Sequence, residues 1–159
     1  MPSPLDFNAS QQLVIALGDP AGIGMEVTLK ALASSTLPPS LQPVLVGCRH
    51  SLIATHARLQ QQGLTSIADP SQLSIDDQPL ETSVVPGEPT TAGAAAGFRW
   101  LTRAVERVQQ GQGRALITAP IAKHLWHAAG HHYPGQTERL AELAGSRHCS
   151  MLFLSLIHI

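Results

Sequence analysis

Short, uninterrupted apolar runs constrain the fold of this chain more than any other sequence feature. They lie at residues 13–17 (LVIAL), 43–47 (PVLVG) and 115–118 (ALIT). Apolar runs of this length fit strands that are buried on both faces of a parallel sheet. Helix-forming segments follow each of them, and such alternation predicts an α/β fold with a mostly parallel sheet and flanking helices on both faces.

The helix predictions rest on hydrophobic spacing and on capping residues. The longest helix is predicted at about 91–110, where apolar residues recur at spacings of three and four and Thr90 and Thr91 offer N-cap hydroxyls. Shorter helices are predicted at 25–33, 51–62, 121–129 and, with Thr137 as N-cap, 137–144. Weak strands are predicted at 65–67 and 82–85, and a last strand at 148–154.

Composition narrows the classes of function. The net charge of -1 gives no basic surface for nucleic acid. Charged residues make up 13% of the chain and hydrophobic residues 43%, whereas about 25% charged residues is usual. A surface so poor in charge indicates that other polypeptide covers part of it.

The remaining composition favours a cytoplasmic protein. No apolar run approaches the roughly 18 residues of a membrane span. The first twelve residues lack the basic and apolar segments of a secretory signal. Cys48 and Cys149 are far apart in sequence, which favours reduced thiols over a disulfide framework.

The chain divides into three parts. Residues 1–12 are expected to form a flexible leader and 13–153 one α/β unit. Residues 154–159 (LSLIHI) resemble the translation of a transposon-derived sequencing adapter. We therefore expect a truncated gene product with a non-native tail.

A glycine-rich turn follows the first apolar run. Residues 18–26 read GDPAGIGME, and a turn between a strand and a helix can present backbone N–H groups to an anion. The segment matches neither the dinucleotide pattern G-x-G-x-x-G nor a phosphate P-loop. The alternative is that its glycines only permit a tight turn.

Four motifs follow one another along the chain: GDPAGIGMEV at 18–27, TAG at 91–93, ALITAPIAK at 115–123 and YPGQTE at 133–138. Together they resemble the PdxA family of 4-hydroxythreonine-4-phosphate dehydrogenases. The resemblance covers about 13–153 and corresponds to the N-terminal half of such an enzyme.

The resemblance implies an isocitrate/isopropylmalate-dehydrogenase-like fold and a homodimer. It also implies NAD-dependent oxidation, with decarboxylation, of 4-phosphooxy-L-threonine in pyridoxal phosphate biosynthesis. The cofactors would be NAD and a divalent metal ion (Zn, Mg or Co). Most of their ligands belong to the family's C-terminal half, so no catalytic, cofactor-binding or metal-binding residue is assigned to this chain, and the chain alone is expected to be inactive.

The resemblance also suggests substrate-binding residues. In the family's turn a His and a Thr contact substrate; here Thr137 matches, but Gln136 replaces the His. Gln can donate a hydrogen bond but cannot carry a proton as His does, so both residues are assigned to binding only. Asp19 and Lys123 are weaker candidates for orienting substrate, against the alternatives of a helix-capping Asp and a solvated Lys.

Four of the eight histidines are concentrated in one segment. These four are His124, His127, His131 and His132. Their spacing would permit a zinc hydrolase, but the His-Glu-x-x-His pattern is absent, and an exposed polar helix face is favoured. Trp126 is expected to be a packing anchor. A second functional hypothesis is a non-catalytic domain that binds a small phosphorylated ligand.

Overall fold

The structure is a computed structural model that describes residues 11–34, 37–38 and 40–153. The predicted leader, apart from residues 11 and 12, and the predicted tail lie outside this range. The strands are β1 (Gln12–Ala16), β2 (Gln42–Gly47), β3 (Ser74–Asp77) and β4 (Ala115–Thr118). The helices are α1 (Gly24–Ala33), α2 (Arg49–Gln61), α3 (Thr91–Gln109), α4 (Lys123–Ala128) and α5 (Gln136–Leu143), with a short 3-10 turn at Pro70–Gln72.

The strands form one parallel sheet in the order β3-β2-β1-β4. Val14 lies opposite Val44 of β2 and Leu116 of β4, so the apolar runs pair in register. This arrangement confirms the predicted α/β class and the parallel sheet. β1 is buried in the middle, whereas β4 lies at an edge.

Helices flank the sheet. α3 packs against β1, β2 and β4, and α1 packs against α2. Right-handed crossovers place α1 and α2 on the face opposite α3, because the chain runs from β1 to β3 in one direction and then returns past β1 to β4. The core contains both tryptophans and residues of β1, β2 and the helices: Trp100, Trp126, Val14, Leu17, Met25, Leu29, Leu45, Val46, Leu52 and Leu59.

The long helix α3 begins as the sequence predicts. The Thr90 hydroxyl accepts a hydrogen bond from the Gly93 N–H at 3.0 Å, which satisfies one of the free donors of the first turn. The buried Trp126 packs edge-on against Phe98 of α3, with 5.0 Å between ring centroids. Its predicted role as a packing anchor is confirmed.

The strand predictions between β2 and α3 were wrong. Residues 65–67 and 82–85 form no strand, and β3 instead lies at Ser74–Asp77 (SIDD). An edge strand with two carboxylates carries no apolar run for a sequence pattern to detect. Its Asp76 is stabilised from α3, where Arg103 Nε and Arg107 Nη1 lie 3.0 and 2.9 Å from the same carboxylate oxygen.

Two further predictions near the carboxyl end also require correction. Residues 148–153 form no strand, and residue 154 lies outside the described range. α5 begins at Gln136 with Gly135 as its N-cap, so Thr137 lies inside the first turn and is not the cap. Gly135 precedes the helix in an extended conformation and has no side chain that could cap it. A prediction based on capping hydroxyls therefore places the start of this helix one residue too late.

An apolar groove remains open between α1 and β4. It has a volume of about 570 Å³, and Ile15, Val27 and Ile117 are among the residues that line it. Ile117 is 45% exposed and Val27 41%. Because parallel strands are normally covered on both faces, Ile117 marks an uncovered part of the sheet, and Val27 lies beside it on α1.

Candidate ligand-binding site between the carboxyl ends of β1 and β4

The turns after β1 and β4 are adjacent at the point where the strand order reverses. Open α/β sheets bind ligands at the carboxyl ends of strands at such a switch point. The Asp19 N–H donates to the Pro120 carbonyl at 3.1 Å, which ties one turn to the other. Gly18 has φ +73°, and a Cβ there would lie 2.3 Å from the Pro120 oxygen. The two backbones therefore fit together only because residue 18 is glycine.

Asp19 holds its own turn together. Its side chain is buried, and Oδ1 accepts a hydrogen bond from the Ala21 N–H at 2.9 Å. This contact is an Asx turn, which stabilises the reversal of the chain before α1. One carboxylate oxygen thus stabilises the backbone of the turn, but Asp19 is not the predicted helix cap, because α1 begins at Gly24 with Ile23 as its N-cap and no side-chain cap.

Gln136 contacts the other side of the same junction. Its Nε2 donates to the Ala119 carbonyl at 3.0 Å, and its Oε1 is buried without a hydrogen-bond partner. A buried acceptor without a partner carries a desolvation cost of about 1–3 kcal/mol, which a ligand N–H or O–H would offset. The amide is thus oriented by the protein with its acceptor available.

The two remaining candidates lie on either side of Gln136. Lys123 is exposed at the start of α4, and a Cβ built at Gly135 would lie 3.4 Å from its Nζ. The ammonium group therefore lies close to the turn before α5. Thr137 Oγ1 lies 3.6 Å from Met151 Sδ, a weak contact that a stronger acceptor would replace.

The structure therefore brings Asp19 and Gln136 to one junction and places Lys123 beside the turn before α5. Asp19 and Gln136 contact the neighbouring carbonyls of Pro120 and Ala119, and Lys123 lies near Gly135. The sequence indicated these residue types. It could not show that the Ala119–Pro120 backbone joins them, because that contact is made by backbone carbonyls. The apolar groove reaches this junction, since Ala119 and Pro120 also line it.

An aromatic and cationic cluster beside the site was not predicted. His131 stacks on Phe98 with 3.6 Å between ring centroids, and Arg139 lies over the same ring at 4.7 Å. Burial lowers the pKa of His131, and the positive charges of Arg139 and Arg99 and the neighbouring His132 lower it further. Phe98 lies on α3, His131 in the loop before α5 and Arg139 on α5, so no local sequence pattern indicated that they meet.

The histidines divide between packing and surface positions. His127 Nε2 lies 2.8 Å from the Tyr133 carbonyl oxygen, and its ring is 5.8 Å from that of His132. His124 is exposed. Within the part of the chain that the structure describes, no three His, Cys, Asp or Glu side chains are arranged to hold a metal ion. None of the described helices is long and apolar enough to cross a bilayer.

These features define a doubly wound α/β protein with a candidate small-ligand site at its strand ends. The family model described as "Pyridoxal phosphate biosynthetic protein PdxA" matches residues 40–156. The chain belongs to the PdxA family.

Curated relatives give the same assignment. The chain is 58% identical over 142 residues to a 4-hydroxythreonine-4-phosphate dehydrogenase of Synechococcus sp. (strain RCC307), a match that covers 89% of this chain and 42% of the relative. It is 33% identical to a D-threonate 4-phosphate dehydrogenase of Salmonella typhimurium, over 94% of this chain and 50% of that protein. The chain thus spans about half or less of the length of these relatives.

Solved structures share the fold. A 4-hydroxythreonine-4-phosphate dehydrogenase from Burkholderia phymatum superposes with a TM-score of 0.75 at 28% identity, covering 86% of this chain and 44% of that one. A putative 4-hydroxythreonine-4-phosphate dehydrogenase from Salmonella typhimurium gives a TM-score of 0.72 at 34% identity, covering 86% and 46%.

Proposed function

We propose that this chain is the N-terminal part of an NAD-dependent oxidoreductase that acts on 4-phosphooxy-L-threonine in pyridoxal phosphate biosynthesis. The observation that carries the proposal is the 58% identity over 142 residues to a relative named for this dehydrogenase. The product of the oxidation would be a 3-oxo acid that loses carbon dioxide. The setting we propose is a cytoplasmic homodimer.

The site residues would bind and orient the substrate. Gln136 Oε1, a buried acceptor, would receive an N–H or O–H of the ligand. Thr137 would donate its hydroxyl to the phosphate, which the N-terminal turn of α5 also favours. Lys123 would add positive charge, and Asp19 would hold the turn after β1. We assign none of them to proton transfer.

The described residues do not fit the family's redox groups. They include no three-ligand metal set. The turn after β1 is not an open dinucleotide cradle either, because a Cβ at Gly24 would lie 2.2 Å from the Leu17 oxygen and one at Gly18 would meet Pro120. Hydride transfer and metal binding would therefore depend on polypeptide outside this chain, and the chain alone would be inactive.

The open groove supports the proposal that other polypeptide completes the enzyme. Its exposed Ile117 and Val27 are apolar, and the sheet edge at β4 is free to pair within the described residues. We propose that the part of the relatives that this chain does not match covers the groove.

A second candidate is a domain that binds a small phosphorylated ligand without chemistry. It is favoured by the partnerless Gln136 acceptor, since a site without redox groups can still bind a ligand through such an atom. The Synechococcus and Salmonella relatives are named for different substrates. The ligands to compare in binding experiments are therefore 4-phosphorylated hydroxy acids as a class.

The test combines the chain with its missing counterpart. We would co-express it with the unmatched part of the Synechococcus (strain RCC307) relative and follow NADH formation from NAD, a divalent metal ion and 4-phosphooxy-L-threonine. We expect NADH only when both polypeptides are present. Ile117→Asp in the groove should abolish association and activity together, whereas the exposed Ile53→Asp on α2 should not. A stable complex that binds the substrate without forming NADH would support the second candidate instead.

A further inference from the structure

The helix that carries Gln136 and Thr137 is weakly anchored by apolar contacts. None of the residues of α5 is buried. Helices in proteins normally depend on an apolar face packed against the core, and one of eight residues is marginal by itself. Leu140 packs against the core while only partly buried, so the position of the candidate binding turn depends on polar anchors as well.

Arg139 is the most extensively bonded of these anchors. Its side chain is 14% exposed. Nη1 donates to the Tyr133 hydroxyl at 3.1 Å and to Glu142 Oε2 at 3.0 Å, and Nη2 donates to Thr102 Oγ1 of α3 at 3.3 Å. One guanidinium thus joins α5, the loop before it and the long helix α3.

Aromatic rings support the same guanidinium. Its central carbon lies 4.7 Å from the centroid of Phe98 and 5.4 Å from that of Tyr133. A planar guanidinium can stack on rings and donate in several directions, whereas a lysine ammonium at the same place could not reproduce this geometry. The identity of the residue, and not only its charge, therefore fixes the position of α5.

Arg139 lies one helical turn after the candidate site. Gln136 and Arg139 are three residues apart in α5, so they stack on neighbouring turns of one face. Gln136 meets the Ala119 carbonyl at 3.0 Å, while Arg139 meets α3. A shift of the helix at Arg139 would move the Gln136 amide out of hydrogen-bond range.

We propose that Arg139 is a positioning residue that clamps α5 to α3 and so fixes Gln136 and Thr137 against the turn after β4. The role in ligand binding rests on the proposed function, but the role in placing Gln136 does not. Tyr133 is part of the clamp, because its hydroxyl also donates to Glu142 Oε2 at 2.5 Å.

The test follows the Gln136 side-chain amide by nuclear magnetic resonance in Arg139→Gln and Arg139→Lys. In the wild-type chain this amide should show the exchange protection of a hydrogen-bonded group. Arg139→Gln should reduce the protection of that amide and of the α5 backbone about tenfold, as expected for the loss of hydrogen bonds to a charged group. Arg139→Lys should give an intermediate loss, since it keeps the charge without the planar fork.

Arg58→Gln is the matched control, because it removes a partly exposed arginine from α2, on the face of the sheet opposite α3. It should leave the Gln136 amide unchanged. If Arg139→Gln lowers overall stability but leaves the Gln136 amide as protected as in the wild type, the positioning role is wrong. If Arg139→Gln does not fold, Arg139→Lys decides by the same readout.

Titration with 4-phosphooxy-L-threonine separates this inference from the proposed function. We expect Arg139→Gln to weaken binding about tenfold, with Arg139→Lys between it and the wild type. If the wild-type chain joined to its counterpart binds no such ligand, the proposed function fails, and the amide protection alone then decides the role of Arg139. Equal binding by the wild type and Arg139→Gln would overturn the link between the clamp and the site.

Discussion

Gly97 of α3 lies directly against the carbonyl oxygen of Gly18: a Cβ atom at residue 97 would come within 2.8 Å of that oxygen. The contact brings the long helix onto the turn that follows the central strand. The same turn is joined to Pro120 on its other side by the Asp19 N–H. The backbone of the candidate site is therefore held from two directions, and its geometry depends on the absence of a side chain at residue 97.

Gly97→Ala should destabilise the protein. Alanine is the better helix former by about 1 kcal/mol, but the clash with backbone atoms of Gly18 should cost about 1–3 kcal/mol. We expect a net loss of stability in urea unfolding followed by the fluorescence of Trp100 and Trp126. A rise of the unfolding midpoint, which helix propensity alone would produce, would show that α3 is free to move away from the turn.

Asp76→Asn should weaken the attachment of β3 to α3. Burial alone would raise the pKa of Asp76, but hydrogen bonds from Gln78 and Arg107 and the charge of Arg103 hold that pKa below its ordinary value. The ionised carboxylate therefore stabilises the fold above the unfolded-state pKa of about 3.9 and loses this contribution as the pH falls through the lowered native pKa. At neutral pH we expect a loss of about 2 kcal/mol.

Urea unfolding over a range of pH checks the Asp76 prediction. The difference between wild type and Asp76→Asn should shrink in acid, where the wild-type carboxylate becomes protonated. Glu81→Gln is the control, because the ion pair of Glu81 with Arg99 is exposed and should contribute less than about 1 kcal/mol. A difference that does not change with pH would mean that packing, not charge, holds β3.

Acid should loosen the region around His131. Burial and the nearby positive charges lower its pKa, so the folded protein favours the neutral ring. Between the lowered native pKa and the unfolded value of about 6.5 the unfolded chain binds more protons, so stability rises with pH and is lost as the pH falls. His131→Phe keeps a ring on Phe98 but cannot titrate.

Chemical unfolding at about pH 7.5 and about pH 5.5 tests this dependence, since His is the group that titrates in this range. The wild type should lose more stability between the two conditions than His131→Phe. His124→Phe is the matched control, because His124 is exposed, and it should retain the wild-type dependence. If His131→Phe and the wild type respond equally, the pKa of His131 is not lowered in the folded chain.

Thr137→Val should weaken ligand binding with little change in the stability of the fold. The substitution keeps the shape of the side chain and removes the hydroxyl, whose weak contact with Met151 contributes little to the fold. We expect the unfolding midpoint to change by less than the equivalent of about 0.5 kcal/mol. Binding of 4-phosphooxy-L-threonine, measured by calorimetry on the chain joined to its counterpart, should weaken about tenfold.

Thr137→Ser, which keeps the hydroxyl, should bind as the wild type does. Binding by Thr137→Val that equals that of the wild type would remove Thr137 from the site. If both variants bind weakly, the contact depends on the methyl group as well as on the hydroxyl.

The sequence by itself determined the elements whose own residues carry enough information. The apolar runs around Val14, Val44 and Leu116 specified three parallel strands, since continuous burial leaves few other arrangements. Thr90 marked the start of α3 because an N-cap acts on the backbone within its own turn. The GDPAGIGMEV and YPGQTE motifs likewise indicated the family.

Only the tertiary structure decided how these pieces meet. β3 is stabilised by Asp76 through arginines of α3 that are distant in sequence. The Gln136 amide meets the Ala119 carbonyl, and Arg139 clamps α5 across Phe98. Such contacts depend on where packed helices bring side chains in space, to within a fraction of an ångström, and a local pattern of residue types contains no information about that distance.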